Sequence, residues 1–479
     1  VVRIAEPPPT MTVLQYLREV AGRCGTKEGC AEGDCGACTV VLGEPAADGS
    51  VRYRAVNSCI RFLPTLDGRE LVTVEDLAGP DGPLHPVQQA LVDHHASQCG
   101  FCSPGFVMSL FALYLNQPHP DREQVLDAIS GNLCRCTGYR PIIDAGLAME
   151  RYGTPQRWSR ESAQAPERRA QLASLAEAAP LLAPDGRYLA PRSVDELAAR
   201  FAAAPDSLLL AGGTDIGLWV TQALLELPPL IWIGDVEELR RIDEDARGLR
   251  IGAAVTLTDA WAAVLRRFPE LAGQAERFAS MPVRNSGTLV GNLANGSPIG
   301  DSLPAMLALD AVLELRCGDA VRELPLCEFY LDYRRTALGR GEFITAVRIP
   351  PRRGEDLVAS YKVSRRREQD ISAVSATFRL RIEDGIVQQV RLAYGGMAGI
   401  AKRATHAEAA ITGSPWNEAT LALARAALAQ DFAPLTDLRA SGEYRLEVAG
   451  ALLERLLRAS RGEHVALPDA GVLAREVAP

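Results

Sequence analysis

The 479-residue chain has no run of eighteen or more apolar residues, the length a helix needs to cross a bilayer. Its most apolar stretch, Phe106 to Leu115, is far shorter and reads as a buried helix. No basic segment followed by an apolar core opens the chain, so export is not indicated. The first residue is Val1 rather than methionine, which leaves room for a removed leader or a few missing residues. Positive charge is in deficit, with 51 lysines and arginines against 60 aspartates and glutamates, a net charge of −9. That balance supports solubility and gives no general basic surface for nucleic acid. Internal repeats, low-complexity tracts and the G-x-G-x-x-G of a Rossmann turn are also missing. The expectation is a cytoplasmic globular protein with neither membrane nor nucleic acid as partner. Hydrophobic residues at 47% and charged residues at 23% are ordinary values. At roughly 100–200 residues per domain the length predicts three or four domains.

Cysteine is plentiful and unevenly placed. Of 11 cysteines, nine lie in the first 136 residues, and the other two, Cys317 and Cys327, read as structural. A disulfide framework fits poorly with a long chain, an odd count and no export signal. Dense cysteines in such a chain point to metal ligands.

The hydrophobic pattern divides the chain. Val1 to Glu6 alternates like a strand that Pro7-Pro8-Pro9 stops, and Thr12 caps a helical stretch with Leu14 and Leu17 on one face. Strands follow at Thr39 to Leu42 and around Val56. Helical periodicity then runs from Val87 to Met149. Thr154 to Pro191, rich in proline and charge, reads as a linker. Beyond Tyr188 the pattern is mixed: a buried strand at Leu208 to Leu210, a helix start at Asp235 to Arg240, and a strand at Leu249 to Ile251. After Leu357, strands at Val374 to Ile382 and Val387 to Tyr394 precede helices at Trp416 to Gln430 and Tyr444 to Ser460.

Cys30, Cys35 and Cys38 form C-x4-C-x2-C, with Cys59 twenty residues on. Gly29, Gly33 and Gly36 let such a loop wrap an inorganic cluster and turn amide N–H groups toward sulfur. Four thiolates and two sulfides on two ferric ions leave about −2 of charge for those amides to stabilise. This is the plant-type 2Fe–2S spacing; a structural zinc ion is the alternative. Cys24 lies outside the pattern. Cys99 and Cys102 form C-x2-C, and Cys134 and Cys136 form C-x-C. Both pairs adjoin helical segments, so two helical hairpins can face each other around four thiolates. A second 2Fe–2S cluster fits, with zinc again the rival. His94 and His95 raise a Rieske-type site, but four cysteines complete the set, and surface or capping roles suit both histidines better.

Two glycine-rich loops stand apart. Leu208-Leu209-Leu210 runs into Ala211-Gly212-Gly213-Thr214-Asp215, where a tight turn can point amides at a pyrophosphate, although a glycine pair after a strand is usually only a turn. The second loop, Thr288 to Asp301, has small residues at Gly291, Gly296, Ser297 and Gly300 that permit close backbone approach, and Asp301 can accept from ribose hydroxyls.

The strings Gln98-Cys99-Gly100-Phe101-Cys102 and Cys134-Arg135-Cys136-Thr137-Gly138-Tyr139-Arg140-Pro141 resemble those of the xanthine dehydrogenase, or molybdenum hydroxylase, family. The resemblance continues through Leu210 to Asp215, Gly291 to Asp301 and Gly395-Gly396-Met397-Ala398, and so covers nearly the whole chain. The order of parts is similar to the small subunit of the bacterial enzymes. The resemblance implies a multidomain α+β protein. It has a β-grasp ferredoxin domain at 1–80, an all-α four-helix 2Fe–2S domain at 81–153 and a linker at 154–182. An α/β FAD-binding domain of vanillyl-alcohol-oxidase/PCMH type at 183–355 and a C-terminal α+β domain at 356–479 complete it. A β-grasp fold starts with two strands where only one fits before Thr12, so the first strand is expected to be missing from this sequence.

By the same resemblance, Leu208, Leu209, Leu210, Ala211, Gly212, Gly213, Thr214, Asp215, Phe278, Thr288, Leu289, Val290, Gly291, Asn292, Asp301, Ile344 and Lys362 match flavin contacts. Phe278 would lie against the isoalloxazine ring with Ile344 nearby, and Lys362 would bring positive charge to the flavin. Read alone, Phe278 is a core side chain and Lys362 a surface one. Ser364-Arg365-Arg366-Arg367-Glu368-Gln369-Asp370 would lie beside the flavin and influence access of NAD; read alone it is a solvated loop. Animal members carry an acid at the position of Gln369. The resemblance further implies a molybdopterin-binding large subunit, an α2β2 assembly, and electrons passing from molybdenum through the helical-domain cluster, the plant-type cluster and FAD to NAD. Hypoxanthine and xanthine would be the substrates, held on the partner. Aldehyde or other N-heterocycle hydroxylases, oxidases using dioxygen, and a zinc-binding sensor are the alternatives.

Overall fold

The computed structural model describes residues 1–463 except 47, 80–81, 156, 177–180, 182, 184, 355 and 368. The chain forms two compact units. The first comprises Val1–Arg192, Asp206–Val236 and Ser280–Gly287; the second comprises Ser193–Pro205, Glu237–Ala279 and Thr288–Pro479.

In the first unit Thr12 caps the helix Val13–Gln15, which continues as the wider turn Tyr16–Val20. Thr12 Oγ1 accepts from the Gln15 amide at 3.1 Å, and the Gln15 side chain returns the bond to the Thr12 amide at 2.9 Å, a reciprocal cap. The helix lays Val13 and Leu17 on Val40, Leu42 and Val56 of an antiparallel sheet. Its strand order is Val51–Asn57, Thr39–Pro45, Glu70–Val72. Among the described residues no strand forms at Val1 to Glu6. Val1 and Val2 are largely exposed, so their alternation finds no sheet to pack on.

Four helices follow, Pro86–Asp93, Ser103–Asn116, Arg122–Ala128 and Arg140–Ala148. The second is apolar on nearly all sides and is buried accordingly. The segment read as a linker is instead packed. It carries the helices Arg160–Ala163 and Pro166–Ala176 and buries Trp158. Pro166 stands at the first helical position, where its missing N–H costs nothing, so proline here starts a helix instead of marking a linker. A short parallel sheet, order Tyr188–Leu189, Leu230–Trp232, Leu208–Leu210, completes the unit.

The second unit has a five-stranded antiparallel sheet centred on Phe343–Ile349, every residue of which is buried. The helix start expected at Asp235 to Arg240 is a single 3-10 turn, Glu237–Arg240, because Ile242–Asp245 at once pairs with Gly248–Gly252. A four-stranded antiparallel sheet of Leu357–Val363, Val374–Glu383, Ile386–Gly395 and Lys402–Arg403 is covered by Thr405–Ile411, Glu418–Asp431 and Gly442–Ser460. Phe378, Leu392, Tyr394, Leu453 and Leu456 belong to its core.

Candidate metal and cofactor sites

The loop from Cys30 to Cys38 turns on three left-handed residues, Ala31, Gly33 and Gly36. Those turns aim the amides of Glu32 and Cys35 at Cys30 Sγ, at 3.5 and 3.4 Å. Strand register then supplies the other half. Thr39 pairs with Asn57, so Cys38 and Cys59 fall at one end of the ladder with their sulfurs 3.3 Å apart. Cys30 also receives hydrogen bonds from the Cys35 and Cys59 thiols, so the four sulfurs close on one another. Those bonds and the two amides hold Cys30 far below the ordinary thiol range. Donation to Cys30 pushes Cys35 and Cys59 upward. Donation from Cys59 lowers Cys38. Cys24 is exposed and takes no part.

The second tetrad sits where two helices begin. Cys102 precedes Ser103–Asn116, and Cys134 and Cys136 lie in the turn before Arg140–Ala148. Cys99 and Cys136 lie at the surface of this chain with sulfurs 3.7 Å apart, and Cys102 donates to Cys134. Burial first, then that donation, pushes the Cys102 thiol up to about 12. Burial acts to raise Cys134 too, but is outweighed by the Thr137 hydroxyl at 3.1 Å and the Thr137 amide at 3.4 Å, so Cys134 is lowered. Tyr139 Oη accepts the Cys134 amide at 3.0 Å and fixes the turn. Thr137 and Tyr139 were visible in the sequence only as parts of a string; their contacts give them a role. His94 ends the Pro86–Asp93 helix, as a cap. Among the described residues no three or more histidine, cysteine, aspartate or glutamate side chains gather as a single metal ion requires.

The two tetrads are stitched together. The Cys35 carbonyl accepts the amide of Leu133, the residue before Cys134, at 3.0 Å.

The candidate flavin residues divide between the units. Leu208 to Asp215 lies in the first, as a strand and turn in which Gly213 has φ of +74°. Phe278, Thr288 to Asn292, Asp301, Ile344 and Lys362 lie in the second. There Thr288 Oγ1 caps Leu289–Asn295 through the Gly291 amide at 2.9 Å, burying Leu289 and Val290. Lys362 is no surface lysine: its ammonium lies 2.7 Å from Asp301 Oδ2, both side chains 3% exposed. Asp301 Oδ1 accepts from Ser372 Oγ at 2.6 Å, so both carboxylate oxygens already have partners within the chain. Lys362 also donates to the carbonyl of Arg277, at 2.9 Å, next to Phe278. Phe278 is only half-buried, unlike a core ring, while Ile344 is buried. Gln274, fully buried, donates to the Asp301 carbonyl at 2.7 Å and to Ser375 at 3.0 Å. Nothing local in the sequence marks Gln274 or Ser372. The Gly395-Gly396 pair supports the same loop, Gly396 donating to the Pro298 carbonyl at 2.8 Å.

In the charge run, Arg365 reaches the Leu438 and Arg439 carbonyls at 2.7 and 3.0 Å, and Asp370 accepts the Arg366 amide at 2.8 Å. Glu368 lies outside the described residues. No helix among the described residues is long and apolar enough to cross a membrane.

Four family models match the chain in series. They are a 2Fe–2S iron–sulfur cluster binding domain at 2–62, a 2Fe–2S binding domain at 73–147, an FAD binding domain in molybdopterin dehydrogenase at 184–352, and a CO dehydrogenase flavoprotein C-terminal domain at 359–460. The xanthine dehydrogenase of Emericella nidulans is 35% identical over 88% of this chain and 35% of its own length. The chain thus spans about a third of the length of the curated relatives it matches. A solved carbon monoxide dehydrogenase from Hydrogenophaga pseudoflava is 30% identical, with a TM-score of 0.54, over 58% of this chain and 98% of the matched one. Quinoline 2-oxidoreductase from Pseudomonas putida 86 is 29% identical, with a TM-score of 0.52, over 58% and 97%.

Proposed function

This chain belongs to the molybdenum hydroxylase family, and we propose that it carries electrons between a molybdenum site on a partner subunit and NAD. The observation that carries the proposal is the closure of two thiol tetrads within one compact unit, joined by the Leu133–Cys35 bond. When bound, two 2Fe–2S clusters pass electrons singly and FAD exchanges one or two, so that paired and single transfers interconvert. Cys30, Cys35, Cys38 and Cys59 would hold one cluster, and Cys99, Cys102, Cys134 and Cys136 the other. In each set a lowered thiol, Cys30 or Cys134, is already biased toward the thiolate that ligates iron. Leu208 to Asp215, Thr288 to Asn292, Phe278, Asp301, Ile344 and Lys362 are the proposed flavin contacts. The Asp301 carboxylate holds the buried Lys362 side chain in place.

We propose hypoxanthine and xanthine as substrates, a molybdopterin-binding large subunit as partner, and an α2β2 assembly. The Emericella nidulans relative, a xanthine dehydrogenase, supports xanthine as the substrate. The carbon monoxide dehydrogenase and quinoline oxidoreductase chains, matched almost end to end, favour a second reading: the same electron transfer beside a different hydroxylase. Metal, sulfide and flavin analysis of the purified chain tests the first level. About four irons per chain with flavin absorption is expected, and a colourless zinc protein overturns it. Cys134→Ser should abolish one of two paramagnetic resonance signals. Assays of the complex on hypoxanthine, xanthine, aldehydes and other N-heterocycles, with NAD or dioxygen, separate the two readings.

A further inference from the structure

Asn132 is buried at 3% exposure, two residues before Cys134. Its amide nitrogen donates to the Gly36 carbonyl at 3.1 Å and to Thr39 Oγ1 at 3.3 Å, on the loop and strand that carry Cys35 and Cys38. Its carbonyl oxygen accepts from Ser109 Oγ at 2.6 Å, inside the Ser103–Asn116 helix. One side chain therefore ties three segments: the first tetrad's loop, the second tetrad's turn and the helix that Cys102 precedes. The packing around it leaves no slack. A Cβ on Gly36 would stand 2.1 Å from the Gly131 carbonyl, and one on Gly105 would stand 2.1 Å from the Gly36 carbonyl. Backbone meets backbone there, so neither contact can relax by a rotamer change. The Leu133–Cys35 bond lies one residue along from Asn132 and from Gly36.

We propose that Asn132 is a positioning residue that fixes the spacing of the two tetrads, with Ser109 orienting its amide and Gly36 and Gly105 giving it room. The inference rests on the two-cluster reading. It assigns Asn132 no contact with iron; the side chain acts through the Gly36 carbonyl and the Leu133 amide.

The test uses the full chain carrying its iron. Asn132→Leu keeps the side-chain shape and removes both hydrogen-bonding ends. The expected result is unchanged iron and sulfide, about tenfold faster hydrogen exchange at the Leu133 amide, and an altered low-temperature magnetic splitting between the two reduced clusters. Gly105→Ala should give the same two changes by a different route, pushing the Gly36 carbonyl away. Elsewhere in a helix that substitution would be favourable. Ser109→Ala, which leaves Asn132 in place without its anchor, decides the matter by the same readouts if Asn132→Leu fails to retain iron. Unchanged exchange at Leu133 and unchanged splitting in Ser109→Ala and Gly105→Ala overturn the proposal. Absence of iron and sulfide from the parent chain would instead defeat the two-cluster reading itself.

Discussion

His85 shows how one side chain sets a pH limit on the helical part. It caps the Pro86–Asp93 helix, Nδ1 accepting the Val87 amide at 3.3 Å, while Nε2 faces the Trp158 carbonyl at 3.4 Å. Its ring meets Phe111 and Tyr114 edge-on. The neutral tautomer with hydrogen on Nε2 satisfies both contacts, and burial pushes the pKa down to about 4. Between there and the ordinary value near 6.5 the unfolded chain binds a proton that the folded chain refuses. Stability is therefore full above about pH 6.5 and falls as the pH drops toward 4, with about 2 kcal/mol lost at pH 5. Urea midpoints at pH 7.5 and 5 should show that loss in the parent. His85→Asn keeps a capping side chain and should lose markedly less over the same interval. At Lys362 the removal of one partner matters more than the pair itself. Lys362→Met strands the Asp301 carboxylate at 3% exposure and should cost about 3–5 kcal/mol. Adding Asp301→Asn should recover part of it, as read from thermal midpoints and flavin content.

Between neighbouring glycines the element decides what each is for. Gly212 and Gly213 both follow the Leu208–Leu210 strand, and composition alone treats them alike. A Cβ on Gly212 would stand 2.2 Å from the Ser286 carbonyl and 2.5 Å from Gly287 Cα, whereas around Gly213 the nearest atom is 3.6 Å away and only its φ of +74° demands glycine. Gly213→Ala should thus cost about 1–2 kcal/mol of backbone strain. Gly212→Ala should cost clearly more, because backbone must move. Thermal midpoints of the two variants check the order, and equal losses would contradict it. The same contrast explains what was legible beforehand. The Ser103–Asn116 helix, the Thr39–Pro45 strand and the grouping of the cysteines could be read because their signals are local: an apolar run, alternation, short spacing. The strand expected at Val1 to Glu6 failed because alternation says nothing about whether a partner exists. The helices at 160–176 were missed because charge and proline hid the contacts that hold them. Gln164 bonds both backbone groups of Val51, and Tyr53 Oη reaches the Ala163 carbonyl, across more than a hundred residues. The burial of Lys362 and the contacts of Gln274 and Ser372 were opaque for the same reason, since their partners are remote in sequence.

At the scale of the whole chain, connectivity makes the first unit depend on segments far beyond its cysteines. The chain leaves that unit after Arg192 and returns twice, at Asp206–Val236 and Ser280–Gly287. Both returns are structural. Gly217 packs so closely on Ile60, the residue after Cys59, that a Cβ would lie 2.6 Å from its carbonyl. Trp232 lies under the Arg61 guanidinium at 5.1 Å, and Asp235 bonds Arg69 at 2.7 Å with both side chains nearly buried. Asn285 donates to the Ala55 carbonyl at 3.0 Å, and Arg284 pairs with Asp127 at 2.5 Å. A fragment of residues 1–192 keeps all eight proposed cysteine ligands yet uncovers Ile60 and strips Asp235 from Arg69. It should melt below the full chain and surrender iron to a chelator faster. Loss should begin at the first tetrad, because Cys59 adjoins the exposed face and the second tetrad is held by its own helices. Paramagnetic resonance during chelation would show the plant-type signal fading first. Asp235→Asn in the full chain, which weakens one of these ties alone, should shift the same order of loss to a smaller degree. Equal iron retention by the fragment and the full chain would mean that the returning segments leave the thiol sites untouched.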